Sequence, residues 1–180
     1  MEKTLVEIKA KVKNLNKLRK KLKEFNAKRI GIFKQVDFYF KVPVGRLKIR
    51  KVNETSVKLI YYEREDIPKP KKCRAFILDI SDEIANIIFR VLEEWKDVVV
   101  SKIREVYNLT GVKIHLDFVN NLGSFLEFEL EVDPKKVTEA KLRLLNLLKK
   151  FDVKKSSMES FSYSDMIRVM RESEVKEGIE

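Results

Sequence analysis

The sequence predicts an α+β fold in which a strand–helix–three-strand unit occurs twice, and three observations carry that expectation. Apolar and polar residues alternate over several short stretches, as half-buried strands require. After the first strand of each half comes one run of apolar residues at helical spacing. Turn residues then separate the strands, at Pro43-Val44-Gly45, Asn108-Leu109-Thr110-Gly111 and Asn120-Asn121-Leu122-Gly123.

Residues 5–12 form the first strand, with Leu5, Glu7, Lys9 and Lys11 on one face and Val6, Ile8, Ala10 and Val12 on the other. Asn14 caps a helix carried by Leu15, Leu18, Leu22 and Phe25. Residues 35–42 alternate again, Val36, Phe38 and Phe40 against Gln35, Asp37 and Tyr39. In the next strand Arg46, Lys48 and Arg50 share one face and Leu47 and Ile49 the other; Lys58, Ile60, Tyr62 and Arg64 share a face of the strand after it. Two solvated strand faces are the simpler reading of these cations. A polyanion site built on a sheet is the sharper one, and it needs acids elsewhere in the chain.

Residues 66–72, with two prolines and three lysines, form the loop between halves of about 1–65 and 73–132. A short strand is expected at 74–80. Ser81-Asp82-Glu83 opens a helix whose apolar face is read as Ile84, Ile87, Ile88, Val91, Leu92 and Trp95, with Trp95 in the core. Strands follow at 98–106, carrying Lys102 and Arg104, at 112–119 and at 125–132. The last inverts the charge, since Glu127, Glu129 and Glu131 share a face. Asp133-Pro134 starts a helix through Val137, Ala140, Leu144 and Leu148, and residues 161–169 end as a short helix before a charged tail expected to fray. Helices thus occupy 134–171, and the 180 residues make one domain.

A formal net charge of +11 favours an anionic partner: nucleic acid, an anionic membrane surface or a phosphate-rich small molecule. With 37% charged and 44% hydrophobic residues, the chain is basic yet able to build a core. Cys73 is alone, which excludes an internal disulfide and a multi-cysteine zinc site. No apolar run reaches membrane-spanning length and no signal-type segment opens the sequence, so a cytoplasmic protein is expected.

Three glutamates two residues apart repel one another unless cations or a divalent metal stand close. Carboxylates are the ligands that Mg²⁺ prefers, and Lys and Arg would hold the phosphate oxygens that complete its shell. If the sheet curls into a barrel with these faces inward, acids and bases meet in one tunnel. His115, the only histidine, is read as a hydrogen-bonded structural residue rather than a base. No Walker-type glycine-rich loop is present, so side chains must cradle any phosphate.

These residues also carry a resemblance. Val6-Glu7-Ile8-Lys9 resembles the E-x-E-x-K strand of the CYTH domains, the triphosphate tunnel metalloenzymes; Gly45 to Arg50 resembles their basic strand, and Leu59 to Arg64 the strand after it. His115-Leu116-Asp117-Phe118-Val119-Asn120-Asn121-Leu122-Gly123-Ser124-Phe125-Leu126-Glu127-Phe128-Glu129 is similar to a segment of the class IV adenylyl cyclase branch. The resemblance implies an antiparallel eight-stranded tunnel with flanking helices. It further implies that the tunnel binds a triphosphate with Mg²⁺ or Mn²⁺ and either cyclises ATP or hydrolyses tripolyphosphate, thiamine triphosphate or a nucleoside triphosphate.

Carried over by position, Glu7, Glu127 and Glu129 bind metal; Lys9, Lys48, Arg50, Lys58, Arg64, Lys102 and Arg104 hold phosphates; and Glu127, Asp117 and Lys9 serve the chemistry. Ser162-Tyr163 resembles the pair that closes the tunnel. Leu5 stands where the family motif has its first Glu, and Phe161 where a basic residue often precedes the Ser-Tyr pair. The first departure leaves a non-catalytic binder as a third reading. Membrane and nucleic acid are set aside as partners, and a homodimer stays open.

Overall fold

A computed structural model describes residues 2–177. Eight strands close into an antiparallel barrel: β1 (Glu2–Lys11), β2 (Lys28–Phe40), β3 (Arg46–Val52), β4 (Ser56–Arg64), β5 (Lys71–Ile80), β6 (Lys96–Leu109), β7 (Val112–Val119) and β8 (Gly123–Glu131). Their order around the wall is β1-β5-β4-β3-β2-β6-β7-β8. Three consecutive strands of each half, β2 to β4 and β6 to β8, are neighbours in the wall, while β1 and β5 pair with each other and lie beside β8 and β4 of the opposite halves; the β2–β6 pair completes the closure. Closure removes the sheet edges that would otherwise expose unpaired backbone groups.

The alternation has an unusual consequence in that charged residues are buried inside the wall, while apolar ones are buried outside it only where helices cover it; outward Val99, Ile103 and Phe118 on β6 and β7 stay exposed. Outward residues of β1, β7 and β8, among them Val6, Ile8, Ile114, Leu116, Leu126 and Phe128, form the main apolar core. Two helices cover it. In α1 (Leu15–Glu24) the Asn14 side chain accepts from the Lys17 amide, and Leu18 and Leu22 are the buried positions. In α3 (Val137–Lys150), led by a turn that Asp133 caps, Ala140, Leu144 and Leu148 face the barrel. Phe151 then packs edge-on against Phe128, ring centroids 5.3 Å apart.

Several expected boundaries move. Strand β2 begins at Lys28, well before the alternation that signalled it, and β5 at Lys71, a little before the short strand expected at 74–80, because pairing with β6 and β1 continues through residues without clean periodicity. The helix α2 (Asp82–Val91) starts at its Ser81 cap as expected, but it turns another face to the barrel. Ala85 is its buried residue, and Ile88, Phe89 and Leu92 pack with it on β3 and β4. Ile84, Ile87, Val91 and Trp95 are 47%, 60%, 72% and 52% exposed, so Trp95 is not core. The small side chain of Ala85 allows close approach, and Phe89 meets Phe38 edge-on at 5.1 Å; a helix apolar on most sides does not announce which stripe docks.

The last helix, α4 (Tyr163–Glu177), is longer than the 161–169 segment expected, and it closes one barrel end. Tyr163 and Ile167 pack on Val98, Val100, Val119 and Phe125. The fraying expected of the tail falls partly on residues 178–180, outside the described residues. At the turn into β3, Gly45 has φ +72°, and a Cβ there would collide with the Tyr61 ring. Among the described residues no helix is long and apolar enough to cross a membrane.

Phe128 is 0% exposed between barrel and α3. Phe128→Ala is therefore expected to cost about 3–5 kcal/mol of stability, measured as a lower midpoint and unchanged slope in urea unfolding.

Candidate active site

The inward faces line a cavity of about 110 Å³. Its cationic wall is built on β3 and β6, where alternate residues Lys48 and Arg50, and Lys102 and Arg104, point inward. Strand β2 runs between β3 and β6, and it brings Asp37 directly opposite Arg50. Asp37 is 0% exposed. It accepts from Arg50 Nε at 2.6 Å and Nη2 at 2.7 Å, from Lys48 at 3.0 Å and from Lys102 at 2.8 Å. Burial alone would raise its pKa; Arg50, Lys102 and Lys48 overcome that and hold the carboxyl well below its usual range. Three cations share one carboxylate.

Lys102 shows the strain of that arrangement. Burial, and repulsion from Arg50, Arg104 and Lys48, lower its pKa to about 7 although Asp37 pulls the other way. Arg64 has a buried Nε with no partner, a donor left for a further acceptor in the same cavity.

The acidic side comes from β7 and β8. Arg104 forks onto Asp117 at 2.7 and 2.6 Å and reaches Glu127 at 3.4 Å. His115 Nδ1 lies 3.0 Å from Glu127, and Lys9 lies 3.8 Å from its other oxygen. Burial opposes ionisation of Glu127, yet Arg104, His115 and Lys9 hold its pKa well below normal. Ligand atoms of His115, Glu127 and Glu129 lie within 4.8 Å of one another. Two carboxylates and an imidazole suit Mn²⁺, and the carboxylates alone suit Mg²⁺, so this donor set fits the divalent cation that the tunnel pattern implies.

Nine of the residues singled out by sequence line this one cavity: Glu7, Lys9, Lys48, Arg50, Arg64, Lys102, Arg104, Glu127 and Glu129. Two stand apart from its surface. Asp117 lies behind Arg104, also accepting from the Tyr163 hydroxyl at 2.8 Å. Lys58, directly across from Arg50 on β4, sits beside exposed Asp79 and outside the cavity lining. Glu7 is turned to Arg64, at 2.5 Å, and His115 takes the place beside the two glutamates that the pattern reserved for Glu7.

Three participants were missed or undervalued. Asp37 was visible in its strand but gave no signal, because its meaning depends on which strands flank it. His115 is hydrogen-bonded, as the sequence suggests, but its partner is Glu127, which makes it part of the acidic cluster as well. Lys71, 0% exposed, donates to the backbone oxygens of Glu159 and Ser160 and ties the approach to α4 onto the barrel. Its pKa falls to about 8, chiefly through burial, with repulsion from Arg64 adding to it.

The CYTH domain family model matches residues 4–163. The chain belongs to the CYTH domain family. A Methanocaldococcus jannaschii protein named "Putative adenylate cyclase" is 30% identical over 174 residues, covering 89% of this chain and 97% of that one. Two solved structures carry the same CYTH architecture. The PH1012 protein of Pyrococcus horikoshii superposes with a TM-score of 0.77 at 27% identity, covering 92% of this chain and 98% of that one. A conserved hypothetical protein of Pyrococcus furiosus gives 0.79 at 29% identity, covering 89% and 98%.

A polyanion entering this CYTH lumen would stabilise the charged form of Lys102 and raise its pKa. Binding of a triphosphate at pH 8 is therefore expected to take up protons, approaching one per site, with affinity falling as pH rises above about 7. Calorimetry in two buffers of different ionisation enthalpy measures the uptake; none would remove Lys102 from the anion contacts.

Proposed function

We propose that this CYTH protein binds a triphosphate with a divalent cation inside the barrel and cyclises ATP to cyclic AMP and pyrophosphate. The observation that carries the reading is the convergence of Lys48, Arg50, Lys102 and Arg104 on one cavity, facing Glu127, Glu129 and His115. The name of the Methanocaldococcus relative supports the same class. A surplus of enclosed cations suits a ligand of several negative charges, and a cavity of about 110 Å³ inside a closed barrel does not admit a nucleic-acid duplex.

Each part of the lumen has work in such a reaction. Lys48, Arg50 and Lys102 hold phosphate oxygens, and Asp37 keeps the three heads converged. Arg104 bridges the acids and the phosphates, oriented by its fork onto Asp117. Glu127 and Glu129 would hold Mg²⁺ or Mn²⁺, which supplies neutralisation of charge at the reacting phosphorus. Lys9, whose pKa burial lowers, stands beside Glu127 where it can exchange the proton of the attacking hydroxyl. The 3′-oxygen forms its bond to the α-phosphorus, and the bond to the bridging oxygen breaks, its electron pair leaving with pyrophosphate. Water in place of the hydroxyl would make the protein a triphosphatase acting on a nucleoside triphosphate, tripolyphosphate or thiamine triphosphate.

A reading without turnover is favoured by one feature. Leu5 supplies no carboxylate, and Glu7 is held by Arg64 rather than beside Glu127 and Glu129. Both conditions leave fewer ligands for a second metal.

Incubation with ATP and Mn²⁺ is expected to yield cyclic AMP and pyrophosphate; free phosphate would assign hydrolysis, and a melting temperature raised by ATP with no product would assign binding alone. Arg50→Ala or Glu129→Ala should abolish the rise in melting temperature that ATP causes. An undiminished rise in both variants would remove the lumen as the site.

A further inference from the structure

The charged groups do not ring the lumen evenly. After Lys71 the inward positions of β5 are Cys73, Ala75 and Ile77, all lining the cavity. Leu5 on β1 stands opposite Cys73, and Ile60 on β4 stands opposite Ile77. These five make a continuous apolar strip across three adjacent strands, facing the wall of Lys102 and Arg104. Leu5, Ile60, Cys73 and Ala75 are 6%, 6%, 2% and 3% exposed. Burial, with the charge of Glu7 adding to it, pushes the Cys73 thiol far above its usual pKa, so Cys73 behaves as a neutral hydrophobe. Tyr62 packs against the same strip and adds an aromatic ring.

Position 5 is therefore not an isolated loss of a carboxylate. Its neighbours are apolar as well, and together they make a surface that a string of phosphates cannot use. Inorganic tripolyphosphate is charged along its whole length, and seating it here strips water from it on the strip's side with no hydrogen bond in return. An uncharged organic group gains by the same burial.

We infer that the strip of Leu5, Ile60, Cys73, Ala75 and Ile77 is the subsite for the organic group of a triphosphate ester, and that it makes the lumen select such esters over inorganic tripolyphosphate. The inference rests on the reading of the lumen as a triphosphate site. Orientation follows from β5, whose inward face runs from Lys71 at the α4 end, through the three apolar residues, to exposed Asp79 at the other rim. The organic group lies along this face toward the rim, and the phosphates lie against Lys48, Arg50 and Lys102 across the lumen. Tyr62 favours a flat group there.

Calorimetry of ATP and of inorganic tripolyphosphate, each with Mn²⁺ and in the cold to slow turnover, tests this on the wild type and on Ile77→Asn. Ile77 is partly exposed, so the substitution does not empty the fully enclosed part of the wall. The wild type is expected to bind ATP about tenfold or more tightly than tripolyphosphate, and Ile77→Asn to lose about tenfold for ATP while tripolyphosphate is unchanged. Equal or tighter binding of tripolyphosphate by the wild type overturns the inference and leaves the triphosphate site standing. Equal weakening of both ligands in the variant does the same. If neither ligand binds the wild type, the site and the inference fall together.

Discussion

The structure depends on a balance of enclosed charge. Lys48, Arg50, Lys102 and Arg104 project into one cavity from β3 and β6, and like charges removed from water repel strongly. Asp37 and Asp117 make the arrangement tenable. Each is 0% exposed, and each accepts a two-pronged guanidinium, from Arg50 and Arg104 respectively. Neither carboxylate neutralises its whole neighbourhood, since Lys48 and Lys102 share the one already taken by Arg50. Burial first, and then repulsion from Arg50, Arg104 and Lys48, keeps the pKa of Lys102 low despite Asp37. A polyanion would complete the balance, so the same surplus that weakens the free protein favours ligand binding.

The outer layers serve that balance. Apolar outward residues of the barrel, pinned by α1 and α3, keep the strands in a register that fixes where each inward head falls. At one end α4 excludes water with Tyr163, Ile167 and Phe125, and Tyr163 spends its hydroxyl on Asp117. A network of Arg46, Asp66, Asp97, Asp165 and Arg168 fastens this helix to the rim. Burial and the Ser162 and Arg46 hydrogen bonds act in opposite senses on Asp165, and the bonds win, lowering its pKa to about 2. The closed end raises the strength of every charge interaction inside, because less water is left to screen it.

Much of this was legible in the chain. Period-two alternation marked most of the strands, since an inside-out wall shows cations and acids at every second residue as plainly as an ordinary strand shows polar ones; β5, apolar on both faces at its centre, was legible only as a short strand. Caps at Asn14 and Ser81 located two helix starts. What periodicity could not supply was partnership across strands. Asp37 acquires its role only because β2 lies between β3 and β6, and His115 only because β7 sets it opposite Glu127. The docking stripe of α2 was misread for a related reason: its apolar residues nearly encircle it, and the small Ala85 decided the contact.

Leu5 brings the two sides of the lumen into one argument. Read along β1, it is a missing ligand beside Glu7 and Lys9. Read across the sheet, it meets Cys73 and continues into Ala75 and Ile77, and the absent carboxylate becomes part of a surface. A glutamate at that position would face an apolar strip, with only the Arg64 Nε, on a guanidinium that already holds Glu7, to offset its desolvation. The division of the lumen into a charged wall and an apolar wall is thus self-consistent at each strand. Chemistry that needs one cation beside Glu127 and Glu129, and a ligand that is ionic on one side only, is what such a division can accommodate.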